Sequence, residues 1–275
     1  MTVPCPRNLI HADIPQALAL SSLAGWNQTA CDWSLLLDLE PQHCWGIDVD
    51  GVLAATTTLV SYERRLAWIG MVLTRPEFRR RGLARRLVER ALQAARDQEI
   101  EIVKLDATEQ GQPLYEGLGF RPERHIERWS LEKPSARPHN PIPTSNTALD
   151  KSLLERDAQT VGFNRSRILQ PLAKISSLFR DSDAYLLARP GREKYYLGPC
   201  IAKNAEAAQA MIQQALIKFP TASWFWDLFP QNRQAIALAE QLGFKKQRSL
   251  LRMVLGPDLS TRTDQIFAIA GFELG

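Results

Sequence analysis

Short runs rich in apolar, β-branched and aromatic residues punctuate the first half of the chain at Cys44 to Val49, Val52 to Val60 and Leu66 to Thr74. Asp50 and Gly51, a two-residue hairpin signal, and a polar turn near Glu63 separate them, so together they predict an antiparallel meander. Beyond Pro76 the spacing changes. Leu83, Leu87, Val88, Ala91, Leu92 and Ala95 recur at helical intervals until Asp97, and Ile100 to Leu105 is again strand-like. A strand, helix, strand crossover normally joins parallel neighbours, which places Leu66 to Thr74 beside Ile100 to Leu105 in a mixed sheet.

Residues 133–149 interrupt this order with four prolines in a polar setting, incompatible with a helix interior or a central strand. They predict an exposed linker between a first domain, 1–132, and a second, 150–275. In the second, helical signals run from Leu149 to Leu178, followed by strands at Ala184 to Ala188 and Lys194 to Ile201. A helix from Asn204 to Phe219, with Asn204 as N-cap, then precedes an aromatic strand, Ser223 to Leu228. Both halves end in the same way. Leu118, Gly119 and Phe120 lead to a strand at Ile126 to Leu131, and Leu242, Gly243 and Phe244 to one at Leu250 to Leu255. The shared order implies a duplicated domain of α/β class, with an α+β type of mixed sheet in each copy.

Composition narrows the function classes. With 45% hydrophobic and 23% charged residues the chain is an ordinary globular one. No apolar run approaches the ~18 residues that cross a bilayer, and the start of the sequence has no apolar leader region, so a soluble, cytoplasmic protein without a membrane partner is expected. A net charge of +4 gives no argument for nucleic acid. Cys5, Cys31, Cys44 and Cys200 show no CxxC pair or metal-ligand spacing and are expected to be reduced thiols, with no metal. A homo-oligomer is compatible with all of this.

The chemistry concentrates between Trp68 and Val88. A strand stops near Pro76, and a basic turn containing Gly82 opens an amphipathic helix. A helix start offers unpaired N–H groups and the positive end of the dipole, so Arg79, Arg80, Arg81, Gly82, Leu83, Ala84 and Arg85 form a candidate pyrophosphate site. Five arginines between Arg79 and Arg86 could also meet nucleic acid phosphate, but their place at a helix start favours a cofactor. The Gly-Lys-Ser/Thr ending of a P-loop and the three glycines of a dinucleotide fingerprint are missing.

Here the chain resembles the GNAT acetyltransferase superfamily. Arg79 to Ala84 match its Arg/Gln-x-x-Gly-x-Gly/Ala cofactor signature, Thr74 to Phe78 are similar to its lead-in, and Leu114 to Phe120 to its Leu-Tyr-x-x-x-Gly-Phe ending. The match covers about Leu9 to Leu131. The tandem arrangement, with Gly25 to Gln28 and the stretch Ile269 to Gly275, is similar to a bacterial branch that carries a second GNAT-like domain. The resemblance implies acetyl-CoA as donor, with its pyrophosphate on the amides of Arg80 to Arg85 and its pantetheine along Val72, Leu73 and Thr74. It further implies Tyr115 as the general acid that protonates the departing thiolate. One position departs from the pattern: Thr108 stands seven residues before Tyr115, where Asn is common, and its hydroxyl either replaces the amide's contact or leaves none.

The acceptor amine must lose a proton, and Asp106, at the end of Ile100 to Leu105, is the candidate base. Asp32 and Glu109 are rivals, each with the ordinary alternative of a solvated or helix-capping carboxylate, and a chain of waters would serve equally well. Trp26, Asn27 and Gln28 fall near the family's usual acceptor loop and are candidates to shape the substrate pocket, with Trp26 and Asn27 as candidate substrate-binding residues, although Trp26 suits packing as well. In the second half Ile201 to Asn204 has no glycine and a single cation, and Ala239 stands at the place of Tyr115. That copy is expected to have lost donor binding and to support the acceptor site. The resulting expectation is an N-acetyltransferase acting on a small-molecule primary amine by direct attack. A non-catalytic acyl-CoA sensor and a protein-lysine acetyltransferase are its rivals.

Overall fold

The computed structural model describes residues 5–132, 149–257, 259 and 261–275, so the linker expected at 133–149 lies almost wholly outside the described residues. The chain forms two compact units that are not consecutive halves. Unit 1 comprises Met1–Glu123, Met253–Asp258 and Phe272–Gly275; unit 2 comprises Arg124–Arg252 and Leu259–Gly271.

In unit 1, β1 (Arg7–Asn8) pairs antiparallel with β2 (Cys44–Val49), after α1 (Ile14–Leu23) and α2 (Ala30–Leu39). β2, β3 (Val52–Tyr62) and β4 (Leu66–Thr74) form the expected meander. The first turn closes through Asp50 at φ 53° and Gly51 at φ 77°, two left-handed residues whose twist suits a two-residue hairpin. α3 (Leu83–Asp97) crosses to β5 (Ile102–Ala107), which lies parallel to β4 as the crossover rule requires. Leu83, Leu87, Val88, Ala91, Leu92, Ala94 and Ala95 bury the inner face of α3. Full burial of a side chain such as Leu87 or Val88 contributes ~1.5–3 kcal/mol, far more than helix propensity supplies. α4 (Gln112–Glu116) and the opening of β6 (Arg121–Leu131) follow.

Unit 2 takes up β6 from Arg124 onward. The helical stretch expected over Leu149 to Leu178 divides into α5 (Lys151–Val161), stopped by Gly162 at φ 91°, α6 (Ser166–Lys174), and a strand, β7 (Ser177–Arg180). β8 (Ala184–Arg189), β9 (Tyr195–Ala202), α7 (Ala205–Lys218), β10 (Trp224–Leu228), α8 (Arg233–Gln241) and β11 (Lys245–Leu255) complete the repeat, and β12 (Ile266–Ala268) comes last. Asn204 caps α7 as expected, its side chain accepting from Ala207 N–H at 3.0 Å. Trp224, Trp226, Met211, Ile212 and Phe244 anchor the core. β10 pairs antiparallel with β6, where buried Asp227 holds Arg128 through two hydrogen bonds of 2.8 and 2.6 Å.

The repetition is detailed. β4 and β5 pair over three positions, Leu66 with Ile102 to Trp68 with Lys104, and β9 and β10 over three, Tyr195 with Trp224 to Leu197 with Trp226. α4 ends with Phe120 N–H donating to Tyr115 C=O and Gly119 N–H to Glu116 C=O; α8 ends with the same two bonds from Phe244 to Ala239 and Gly243 to Glu240. Gly119 at φ 91° and Gly243 at φ 82° supply the left-handed residue that this helix stop demands.

Candidate functional site

Among the described residues the far edge of β4 has no strand partner past Trp68, because β3 holds its other edge and pairing with β5 has ended. Between Thr56 and Thr58 the register shifts, so that Met71 and Val72 together face Thr57 alone. This is a β-bulge, with Met71 at φ 50° and its carbonyl accepting from the Thr56 hydroxyl at 2.8 Å. The consequence is a fork: β4 and β5 diverge beyond Trp68, and the backbone of Ile69 to Thr74 borders the opening between them. Val72 and Thr74 are half-buried in it and Leu73 is buried.

Arg75 locks the strand's exit, its N–H donating to Ala54 C=O and its Nε to Leu53 C=O, both at 2.9 Å. A single tight turn at Pro76–Phe78 follows, and Arg80 at φ 58° and Gly82 at φ 76° turn the chain into α3. The first helical backbone bond runs from Arg86 N–H to Gly82 C=O at 3.1 Å, which leaves the N–H groups of Leu83, Ala84 and Arg85 without a helical acceptor. A Cβ placed on Gly82 would meet nothing within 4 Å, so the space before the turn is open. Arg79, Arg80, Arg81 and Arg85 are exposed around it. Arg81 lies 5.1 Å from the Phe78 ring centre and Arg79 donates to Thr74 C=O at 3.4 Å. Open space, unpaired donors and clustered guanidiniums suit a pyrophosphate.

Tyr115 lies on α4, packed edge-on against Phe120 with ring centres 6.0 Å apart and only 7% exposed. Burial pushes its phenol above the ordinary value, so it remains protonated. The Arg85 guanidinium reaches to within 3.1 Å of where a Cβ on Gly117 would lie, tying the basic turn to the end of Tyr115's helix. Thr108 serves the entry to α4, accepting from Gly111 N–H through its carbonyl at 2.9 Å and its hydroxyl at 3.2 Å.

Asp106 is half-buried in β5, on the strand face it shares by alternation with Lys104, whose ammonium pairs with Glu123 at 2.9 Å. Asp32 is a helix cap: its carboxylate accepts from the Thr29 N–H and hydroxyl, both at 2.7 Å. Glu109 is exposed. Trp26 and Asn27 sit in the α1–α2 loop, Trp26 half-buried with its N–H on Ser21 C=O at 2.9 Å, and Asn27 buried. Residues 272–275, within the stretch Ile269 to Gly275 that the resemblance marks, lie in unit 1 against β4, where Gly70 leaves room for them.

Unit 2 has a bulge at the corresponding place, with Gly198 and Pro199 against Leu187. Its opening is filled by its own chain. β12 pairs antiparallel with β9 at Cys200 and Ile201, on the edge that β8 leaves free, while Trp226 Nε1 donates to Phe267 C=O at 2.6 Å and Ile269 N–H to Asp227 C=O at 3.0 Å. Among the described residues no helix is long and apolar enough to cross a membrane.

Two acetyltransferase descriptions match the sequence, the GNAT family over residues 15–120 and a GNAT domain over 153–268. An uncharacterised N-acetyltransferase of Bacillus subtilis (strain 168), YitH, is 30% identical over 208 residues, 71% of this chain and 72% of that protein. The chain therefore belongs to the GNAT acetyltransferases, as an acyltransferase with two GNAT domains in tandem. Its fold is similar to that of a putative acetyltransferase from Pyrococcus horikoshii, with a TM-score of 0.86, 19% identity, and coverage of 100% of this chain and 97% of that one. It is also similar to a tandem GNAT protein from the clavulanic acid biosynthesis pathway, with a TM-score of 0.60, 14% identity, and coverage of 93% and 100%.

Proposed function

We propose that unit 1 transfers acetyl from acetyl-CoA to a primary amine of a small molecule by direct attack, and that it holds the chain's one donor site. The observation that carries this reading is the open edge of β4 beside the Met71–Val72 bulge, leading directly into the Gly82 turn. Leu83, Ala84 and Arg85 N–H groups with Arg79, Arg80 and Arg81 hold the pyrophosphate. Val72, Leu73 and Thr74 align the pantetheine arm as an added strand. The bound thioester supplies an activated acetyl group, and a main-chain N–H at the bulge steadies the charge that develops on its oxygen. Tyr115, kept protonated by burial, delivers a proton to the thiolate. Trp26 and Asn27 border the acceptor, and Asp106 is a candidate base. In unit 2 the strand β12 already fills the equivalent opening, which supports a single donor per chain.

Calorimetry with acetyl-CoA, followed by thiol release over a panel of small amines, tests the proposal. One donor bound per chain and turnover with an amine are expected. Binding without turnover on any amine would favour a sensor, and turnover on polypeptide lysines alone a protein acetyltransferase.

A further inference from the structure

We propose that Thr56 is a positioning residue for the acetyl carbonyl: its hydroxyl fixes and polarises the peptide between Met71 and Val72, so that the Val72 N–H meets the thioester oxygen. This rests on the reading of unit 1 as an acetyl-CoA-dependent acyltransferase. β3 carries three consecutive threonines, Thr56, Thr57 and Thr58, each 0% exposed. A buried hydroxyl costs free energy unless it finds a partner, and valine would fill the same space in such a strand. The three differ in what their hydroxyls do. Thr56 Oγ1 donates to Met71 C=O at 2.8 Å, Thr57 Oγ1 reaches Gly70 C=O at 3.4 Å, and Thr58 Oγ1 has no hydrogen-bond partner among the described residues. The shortest bond falls on the bulge itself.

Met71 is buried and stands at φ 50°, a backbone region that a residue with a bulky side chain rarely adopts. A hydroxyl bonded to its carbonyl holds it there from one face of the sheet. Thr57, whose side chain leaves β3 on the other face, steadies the preceding peptide. The Met71–Val72 peptide is trans, so its C=O and N–H point in opposite directions. With the C=O turned to Thr56 on β3, the Val72 N–H is turned away from β3, on the side of β4 where pairing with β5 has ended.

A donor on the carbonyl also draws electron density out of the peptide and makes its N–H a stronger donor. As the amine nitrogen adds to the acetyl carbon, an electron pair shifts onto the acetyl oxygen. That oxygen meets an N–H already aimed at it, with no reorientation left to make during the reaction. Thr56 itself touches neither substrate; it acts through the peptide it holds.

The test uses the full chain with acetyl-CoA carrying a heavy carbon isotope at the acetyl carbonyl, without amine, and follows the thioester carbonyl stretch by difference infrared spectroscopy. In Thr56→Val the bound carbonyl should absorb at a higher frequency than in the unaltered protein. With any amine that turns over, kcat should fall about tenfold or more while calorimetric acetyl-CoA affinity stays within about twofold. Thr56→Ser, which keeps the hydroxyl, should restore both, and Thr58→Val, which removes a hydroxyl that makes no bond, should change neither. Thr56→Ala repeats the measurement where valine prevents folding. An unshifted carbonyl in the folded Thr56 variants, an equal shift in Thr58→Val, or a serine variant as impaired as the valine one would each overturn the proposal. Failure of both Thr56→Val and Thr56→Ala to fold would reduce Thr56 to a structural role and overturn it as well. Absence of acetyl-CoA binding by the unaltered protein would instead overturn the reading of unit 1, and the role of Thr56 with it.

Discussion

Tyr115 joins deep burial to a short, well-anchored helix: its own C=O accepts from Phe120 N–H at 3.0 Å. Its hydroxyl is the only part that Tyr115→Phe removes. Turnover should fall ~10²- to 10⁴-fold with little change in acetyl-CoA affinity, measured by steady-state rates beside calorimetry. The raised pKa has a defined sign for stability. The unfolded phenol ionises near ~10 while the folded one holds its proton, so the contribution is intact below that pH and declines above it. Chemical denaturation of the wild type and Tyr115→Phe should accordingly diverge only above about pH 10. At Gly82 the φ of 76° excludes proline, whose ring fixes φ near −65° and removes an N–H from the cradle. Gly82→Pro should therefore weaken acetyl-CoA binding at least about tenfold, equivalent to a charge-assisted hydrogen bond, and unchanged calorimetric affinity would refute the cradle.

Elements with strong periodicity were legible from the sequence: the stripe of α3, the Asp50-Gly51 hairpin and the Leu-Gly-Phe helix stops all encode backbone geometry in residue type. The bulge was not, because Met71 adopts φ 50° without being a residue that favours it; its neighbours impose that conformation. β12 is equally silent, since three residues carry no period. Asp32 shows the opposite case, where one carboxylate fits a base or a cap by type and only hydrogen-bond geometry decides. Gly70 has a consequence at this scale. Gly70→Ala forces a Cβ to within 2.9 Å of the backbone of residues 272–275, so the strand and that segment cannot keep their contact. Overpacking of this kind costs ~1–3 kcal/mol, and denaturant unfolding should show a loss in that range. Loss of the segment should also release the Trp68 indole, visible as a change in near-ultraviolet circular dichroism.

At the scale of the whole molecule, unit 1 draws on stretches of the chain far apart in sequence. Unit 1 includes residues 253–258, where Gly256 at φ 108° lies so close to β5 that a Cβ would approach Glu101 C=O to 2.2 Å. A fragment ending at Glu132 lacks both that strand end and residues 272–275. Its Trp68 Nε1 and Tyr62 hydroxyl would be left without the acceptors they use in the full chain. The fragment should melt broadly or aggregate, where the full chain melts cooperatively by calorimetry; a sharp transition in the fragment would contradict this.

The same interleaving sets an order of events during synthesis. Residues 5–123 leave the ribosome first, yet the sheet they form is finished by residues made some 130 to 150 positions later. At ~5–20 residues per second, β4 and β5 wait on the order of 10 s for their last partners. During that interval the nascent first unit exposes an unfinished strand edge, the kind of surface that chaperones shield and that other chains can pair with. Slowing elongation should therefore lower the yield of folded protein more than substitutions on the exposed face of α3 do.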